Sequence, residues 1–123
     1  MIVLDPSVLI AFADPANASH QDAKRIMTTT EALAVTALTG AEILVSPSRE
    51  QQFEWRDLFH ALAVEVVPIT ENDMRTIANM RRTSDLKMPD ALVLWAAKER
   101  KAGVATFDEQ LRSRAEELGL RTV

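Results

Sequence analysis

Ile2-Val3-Leu4-Asp5-Pro6-Ser7-Val8-Leu9 turns from strand to helix within eight residues. Ile2–Leu4 is a short apolar run of strand type, and Asp5 ends it. Pro6 falls at the first helical position, where its missing N–H costs no hydrogen bond. The helix it opens runs to Ala13. A strand feeding straight into a helix begins a parallel crossover, and the rest of the chain repeats that alternation. A second helix starts at Asn17 or Ser19 and runs to about Met27, and Leu33–Thr36 is a second strand. Thr39-Gly40-Ala41-Glu42 opens a helix to about Ser46, and Arg49–Leu62 continues helical beyond Pro47. Val64–Pro68 is a third strand, and Thr70 caps a helix to about Thr83. Pro89 starts a helix closing at Arg100-Lys101-Ala102-Gly103, a basic last turn and then Gly, as a helix C-terminus prefers. Val104–Thr106 is the fourth strand, Asp108–Leu118 a helix, and Leu120–Val123 a short fifth strand.

This pattern predicts one α/β domain over residues 1–123, with helices flanking a central parallel sheet of about five strands. The length suits a single domain, and no Gly/Ser linker or repeat divides it. Such a chain buries about two-thirds of its unfolded surface, enough for a core without staples. Apolar residues make up 47%, a globular value. Cysteine is absent, which excludes disulfides, thiolate metal sites and a cysteine nucleophile. The longest apolar run, Ala91–Ala97, is far short of the ~20 residues that a membrane helix needs. Nor does the N-terminus carry the basic flank of a signal peptide, so the expectation is a soluble, cytoplasmic protein without membrane contact. The same run is apolar on every face, as in a helix buried on most sides against a sheet. Asp90, in its first turn, must then lie near the middle of the domain.

Four acids occupy comparable places. Asp5 follows the first strand, Glu42 lies in the first turn after the second, Asp90 opens the buried helix, and Asp108 follows the fourth strand. In a parallel sheet the strand C-termini and the helix N-termini gather along one edge, where the ligand crevice forms. Each acid alone has an ordinary explanation. Asp5 and Asp108 suit N-caps, Thr39 with Glu42 matches a capping box, and Asp90 complements a helix dipole. Together they are harder to dismiss. Two carboxylates about 5 Å apart repel by about 3 kcal/mol at an effective dielectric of about 20. Several such pairs would strain a domain whose stability is only about 5–15 kcal/mol. Protonation or a bound cation relieves the strain, and oxygen ligands without His or Cys select Mg²⁺ or Mn²⁺.

Four strings, V-L-D-P-S-V-L-I-A-F (3–12), L-T-G-A-E-I-L (38–44), M-P-D-A-L-V-L-W-A-A (88–97) and A-T-F-D-E-Q-L (105–111), resemble the PIN-domain ribonucleases. Their order and spacing are most similar to the VapC-type toxins of bacterial toxin–antitoxin pairs, over essentially the whole chain. The resemblance implies a PIN-like three-layer fold and a metal-dependent endoribonuclease whose pocket comprises Asp5, Glu42, Asp90 and Asp108. Those acids would hold one or two Mg²⁺ or Mn²⁺ ions, which activate water and offset charge on the scissile phosphate. Ser7, in Asp-x-Ser, and Thr106, in Thr-x-Asp, match supporting positions that orient ligands or water. Glu109 and Gln110 depart from members with a further Asp there, and Trp95 stands where a smaller residue is expected. The resemblance also implies a cognate antitoxin, able to place a basic side chain in the acidic pocket, and homodimers.

Other readings fare less well. A metal-free route needs acid–base groups such as a His pair, but His20 and His60 lie in amphipathic helices away from the strand ends. A phospho-accepting receiver domain needs paired acids after the first strand and a Lys near position 106, where Thr106-Phe107-Asp108 stands instead. A PIN fold working only as an antitoxin or RNA binder is the remaining alternative. Arg81, Arg82, Lys87, Lys98 and Arg112 are candidate phosphate contacts, each equally suited to a solvated face. Trp95 reads as core, and Trp55 as core or dimer surface, rather than as base-stacking platforms. Phe12, Ile43, Leu44, Phe53 and Phe59 read first as core, second as a groove for a partner helix. The formal charge of −4, from 18 acids against 14 bases, argues against binding RNA through bulk positive charge. Without the four pocket acids, however, acids and bases balance. The whole excess equals the proposed pocket.

Overall fold

The computed structural model describes residues 1–45 and 54–123. Its elements are β1 (Ile2–Leu4), α1 (Pro6–Ala13), α2 (His20–Met27), β2 (Leu33–Thr36), α3 (Ala37–Val45), α4 (Trp55–Ala61), β3 (Glu65–Val67), α5 (Met74–Ser84), α6 (Met88–Arg100), β4 (Gly103–Ala105) and α7 (Glu109–Glu117). The strands form a parallel sheet in the order β3-β2-β1-β4. Successive crossovers run outward from β1 to β3, and β4 then returns to the other side of β1. That reversal makes the β1/β4 junction a topological switch point, where a crevice opens beyond the strand ends.

Alternate residues of each strand face opposite sides, so β1, β2 and β4 each feed two cores and the edge strand β3 feeds one. Val3, Ala34, Val67 and Val104 pack with α5, α6 and α7 on one face. Ile2, Leu4, Leu33, Val35 and Ala105 pack with α1, α2, α3 and Trp55 of α4 on the other. The result is the expected three-layer α/β architecture. Burial on both faces also explains why β1 and β4 are apolar throughout, whereas the edge strand β3 carries Glu65 and an exposed Val66. All seven residues of Ala91–Ala97 are buried, as the sequence predicts. Trp95 is core, its Nε1–H donating to Thr76 Oγ1 at 3.2 Å. Trp55 is buried against Phe59, with ring centroids 5.9 Å apart.

Several boundaries differ from expectation for local reasons. The fifth strand is reduced to one parallel bridge, Val104 with Thr122. Gly103 does not end α6. Lys101 takes the left-handed position at φ 52°, and Gly103 belongs to β4, where a Cβ would lie 3.0 Å from the Arg121 guanidinium. Thr70 caps a 3₁₀ turn over Glu71–Asp73, reciprocated by Asp73, before α5 begins. The expected helix over Arg49–Leu62 is present as α4, while its first part and Phe53 lie outside the described residues. No helix among the described residues is long and apolar enough to cross a membrane.

Candidate active site

Asp5 leaves the end of β1 beside the end of β4. Leu4 pairs with Ala105, and the Asp5 amide continues the ladder to Ala105 O at 3.0 Å, so Thr106 stands next to Asp5. The Asp5 residue is only 5% exposed, unusual for a carboxylate. Its burial is matched by hydrogen bonds, all on one oxygen. Ser7 Oγ donates to Asp5 Oδ2 at 2.5 Å, Thr106 Oγ1 at 3.0 Å and the Ser7 amide at 3.2 Å. Among the described residues no donor reaches Oδ1. Asp5 is thus the N-cap of α1, yet one of its oxygens is left free of that task.

The two hydroxyls are fully used. Each has one proton, given to Asp5, and each accepts a backbone N–H of the β4–α7 turn. Phe107 N donates to Ser7 Oγ and Asp108 N to Thr106 Oγ1, both at 3.0 Å. The hydroxyls therefore tie the β4–α7 turn to the β1–α1 turn. Ser7 and Thr106 sit where supporting residues are expected. Arg112, one turn into α7, donates Nη2 to Thr106 O at 2.7 Å and to Val123 O at 3.4 Å.

Asp108 caps α7 through Oδ1, which accepts from the amides of Gln110 at 2.9 Å and Leu111 at 3.1 Å. Asp108→Ala should therefore cost about 1 kcal/mol of stability, whereas Asp108→Asn, an equally good cap, should cost a small fraction of that. Urea unfolding of the two variants separates the capping role from the charge. Asp90 lies half-buried in the first turn of α6. Burial pushes its carboxyl above the ordinary range, and the charges of Asp5, Asp108 and Glu42 push it further, while Lys87 pulls it down. Glu42 is raised as well, by partial loss of solvent and then by Asp5. Asp90 thus feels the charge of the other three acids, and Glu42 that of Asp5.

Glu42 arrives there by a different route from the one expected. Thr39 and Glu42 do not form a capping box. The buried Thr36 hydroxyl accepts from the Thr39 amide at 3.0 Å and donates to Thr39 Oγ1 at 3.1 Å, so the helix starts one turn earlier. Glu42 accordingly stands in the second turn of α3, on its exposed rim. Thr36 is the residue that sequence reasoning missed. A Thr at a strand end, three before another Thr, is its signal, but either can cap.

All-oxygen donors of net negative charge fit a hard divalent cation. Among the described residues, however, no three acidic or histidine side chains stand close enough to make a ready-built cage. Asp108 is turned toward its own helix, and Glu42 stands at the rim.

The remaining candidates are scattered. Arg81 and Arg82 are exposed in the last turn of α5, Arg82 donating to Asn79 Oδ1 at 3.1 Å. Lys87 is exposed at the N-cap of α6, and Lys98 is exposed further along that helix. His20 Nδ1 lies 2.8 Å from Ala11 O, a structural contact away from the acids. Ile43 is core, and Phe12 packs on it partly buried. Leu44 and Phe59 line a separate cavity of about 540 Å³ between α3, α4 and β3, together with His60.

Comparison with known proteins agrees with this architecture. No curated protein matches the chain. Among solved structures, a toxin–antitoxin complex from Klebsiella pneumoniae aligns at 21% identity and TM-score 0.69, covering 88% of this chain and 87% of that one. VapC20 of Mycobacterium tuberculosis, described as a toxin cleaving the sarcin–ricin loop, aligns at 17% identity and TM-score 0.69 (92% and 94% covered). VapBC2 of Rickettsia felis, bound to promoter DNA, aligns at 15% identity and TM-score 0.69 (100% and 98% covered). At these identities the likeness is one of fold. The PIN domain profile, by contrast, matches the sequence itself over residues 2–117, from the strand before Asp5 to the last turn of α7. The switch-point edge and the acids on it are thus the frame of a protein that belongs to the PIN domain family.

Proposed function

We propose that the chain is a metal-dependent endoribonuclease, the toxin of a cytoplasmic toxin–antitoxin pair, with Asp5, Glu42, Asp90 and Asp108 as its acidic site. The observation that carries the reading is Asp5. It is a buried carboxylate with three donors on one oxygen and, among the described residues, none on the other, beside a second acid, Asp90, whose charge the pocket disfavours.

The site would hold one or two Mg²⁺ or Mn²⁺ ions, with Asp5, Asp90 and Asp108 as ligands and Glu42 closing the rim. Bound there, such an ion acidifies a coordinated water and offsets negative charge on a phosphate. The protein's own contribution is orientation. Ser7 and Thr106 keep Asp5 from rotating, and their amide partners keep the Asp108 turn at a fixed distance from it. Lys87 stands beside Asp90 and is the basic residue best placed to meet RNA backbone. Arg81 and Arg82 would extend that contact, while Arg112 is engaged with main-chain oxygens. A cognate antitoxin and a homodimer complete the proposal. The solved structure described as a toxin–antitoxin complex supports the first.

Purified chain incubated with RNA should cut it in Mg²⁺ or Mn²⁺, stop in excess chelator and resume when metal is restored. The fragments should carry 5′-phosphates, and an Asp5→Asn control should leave the RNA intact. Undiminished cleavage in chelator would remove the metal from the mechanism. No cleavage under any condition would leave a PIN fold that only binds.

A further inference from the structure

The turn after β4 is held by Arg112, a cation that the sequence offers only as a phosphate contact or a solvated charge. Arg112 donates Nη2 to Thr106 O at 2.7 Å. The Thr106 carbonyl and the Phe107 N–H are the two ends of one planar peptide, so fixing one end orients the other. At that other end, Phe107 N donates to Ser7 Oγ at 3.0 Å, and Ser7 Oγ donates to Asp5 Oδ2 at 2.5 Å. Every link runs in the same sense: guanidinium to carbonyl, amide to hydroxyl, hydroxyl to carboxylate. Aligned bonds of this kind polarise one another, by about 10–30% each in condensed phase. The chain joins a fixed positive charge to the buried carboxylate. A separate chain, which does not start at Arg112, runs from the Asp108 amide through the Thr106 hydroxyl to the same Oδ2.

We propose that Arg112 is a positioning residue for Asp5, acting through the Thr106–Phe107 peptide and Ser7, rather than a contact for the RNA backbone. Its guanidinium sets the peptide plane, and the plane sets the hydroxyl that locks Oδ2. Oδ1 remains the oxygen through which Asp5 can act. Arg114, two residues on, is a natural control. It also donates to a main-chain oxygen, Ser84 O at 2.9 Å, but that bond ends α5 and leads nowhere near Asp5.

The activity arm of the test rests on the ribonuclease reading, and the exchange arm does not. Arg112→Met should lower kcat and Mn²⁺ affinity each by about tenfold, as loss of a ligand-orienting partner does. The KM for RNA and the salt dependence of RNA binding should be unchanged. Arg112→Lys keeps one charged donor and should recover part of both losses, and it replaces the Met variant if that one melts. Arg114→Met should lower the melting temperature without altering Mn²⁺ affinity. A phosphate contact produces the opposite pattern: higher KM, a salt slope smaller by about one, unchanged kcat and Mn²⁺ affinity. That pattern overturns the proposal. Amide hydrogen exchange at Phe107, in metal-free protein without RNA, should quicken at least tenfold in either Arg112 variant. Unchanged protection there overturns the positioning role even in an active nuclease. Faster exchange in a protein that never cuts RNA removes the ribonuclease reading alone.

Discussion

Asp90→Asn is expected to abolish RNA cleavage and at the same time to stabilise the metal-free protein at neutral pH. The activity loss should exceed the roughly 100-fold that losing a mere supporting partner of a metal ligand costs. The stability gain follows from the raised Asp90 carboxyl. Burial, then Asp5, Asp108 and Glu42, hold it above its ordinary value of 3.8. Between that value and the raised one, the folded chain binds more protons than the unfolded chain. The associated stability is fully present below the ordinary carboxyl range and is lost as pH rises through the raised pKa. Asparagine removes this loss. The advantage of the variant should therefore grow from pH 4 to pH 7 and vanish below about pH 4. It is opposed by the helix-dipole interaction of a first-turn acid, typically about 0.3–1 kcal/mol. Paired thermal melts in chelator across that pH range measure the difference. A variant that is less stable throughout would make Asp90 an ordinary helix-starting acid.

Thr106→Val should be among the most destabilising single changes at this edge and should also cripple cleavage. Thr106 is fully buried, and valine matches its shape. What disappears is the proton given to Asp5 Oδ2 and the lone pair taken by the Asp108 amide. A buried N–H left without an acceptor costs about 1–3 kcal/mol. With one of its three donors gone, Asp5 gains freedom to rotate. Thr106→Ser retains both hydrogen bonds and loses only a methyl, worth about 0.8 kcal/mol of burial. It should cleave RNA nearly as well as the parent chain. Urea unfolding with cleavage assays on the two variants distinguishes hydroxyl from packing, and equal activity of Val and Ser would contradict the locking role of Thr106.

The sequence was most legible where one local rule and the sheet topology agree. Asp5 and Asp108 each follow an apolar strand and cap a helix, and both tasks are visible in the structure. Their ordinary capping role and their place at the switch point are not competing explanations, because Asp5 caps with one oxygen only. The apolar run 91–97 likewise marks the buried helix and brings Asp90 inward. Where two residues satisfied the same rule, sequence could not choose. Thr36 and Thr39 can each cap α3, and a one-turn shift moved Glu42 from the first turn to the second. Lys101 took the left-handed position expected of Gly103, because Gly103 was needed in β4 beside Arg121. Arg112 was the least legible. An arginine beside an acidic motif looks like a phosphate contact, and nothing in spacing reveals that its guanidinium turns back to a carbonyl.

The central claim is that Asp5 and its acidic neighbours form one cation-holding site. Calorimetric titration of Mn²⁺ into the parent chain and Asp5→Asn at neutral pH tests it most directly. The parent chain should bind one or two ions saturably and the variant at least tenfold more weakly, with both proteins equally folded. Equal affinity in the two, or no saturable binding to either, would contradict it.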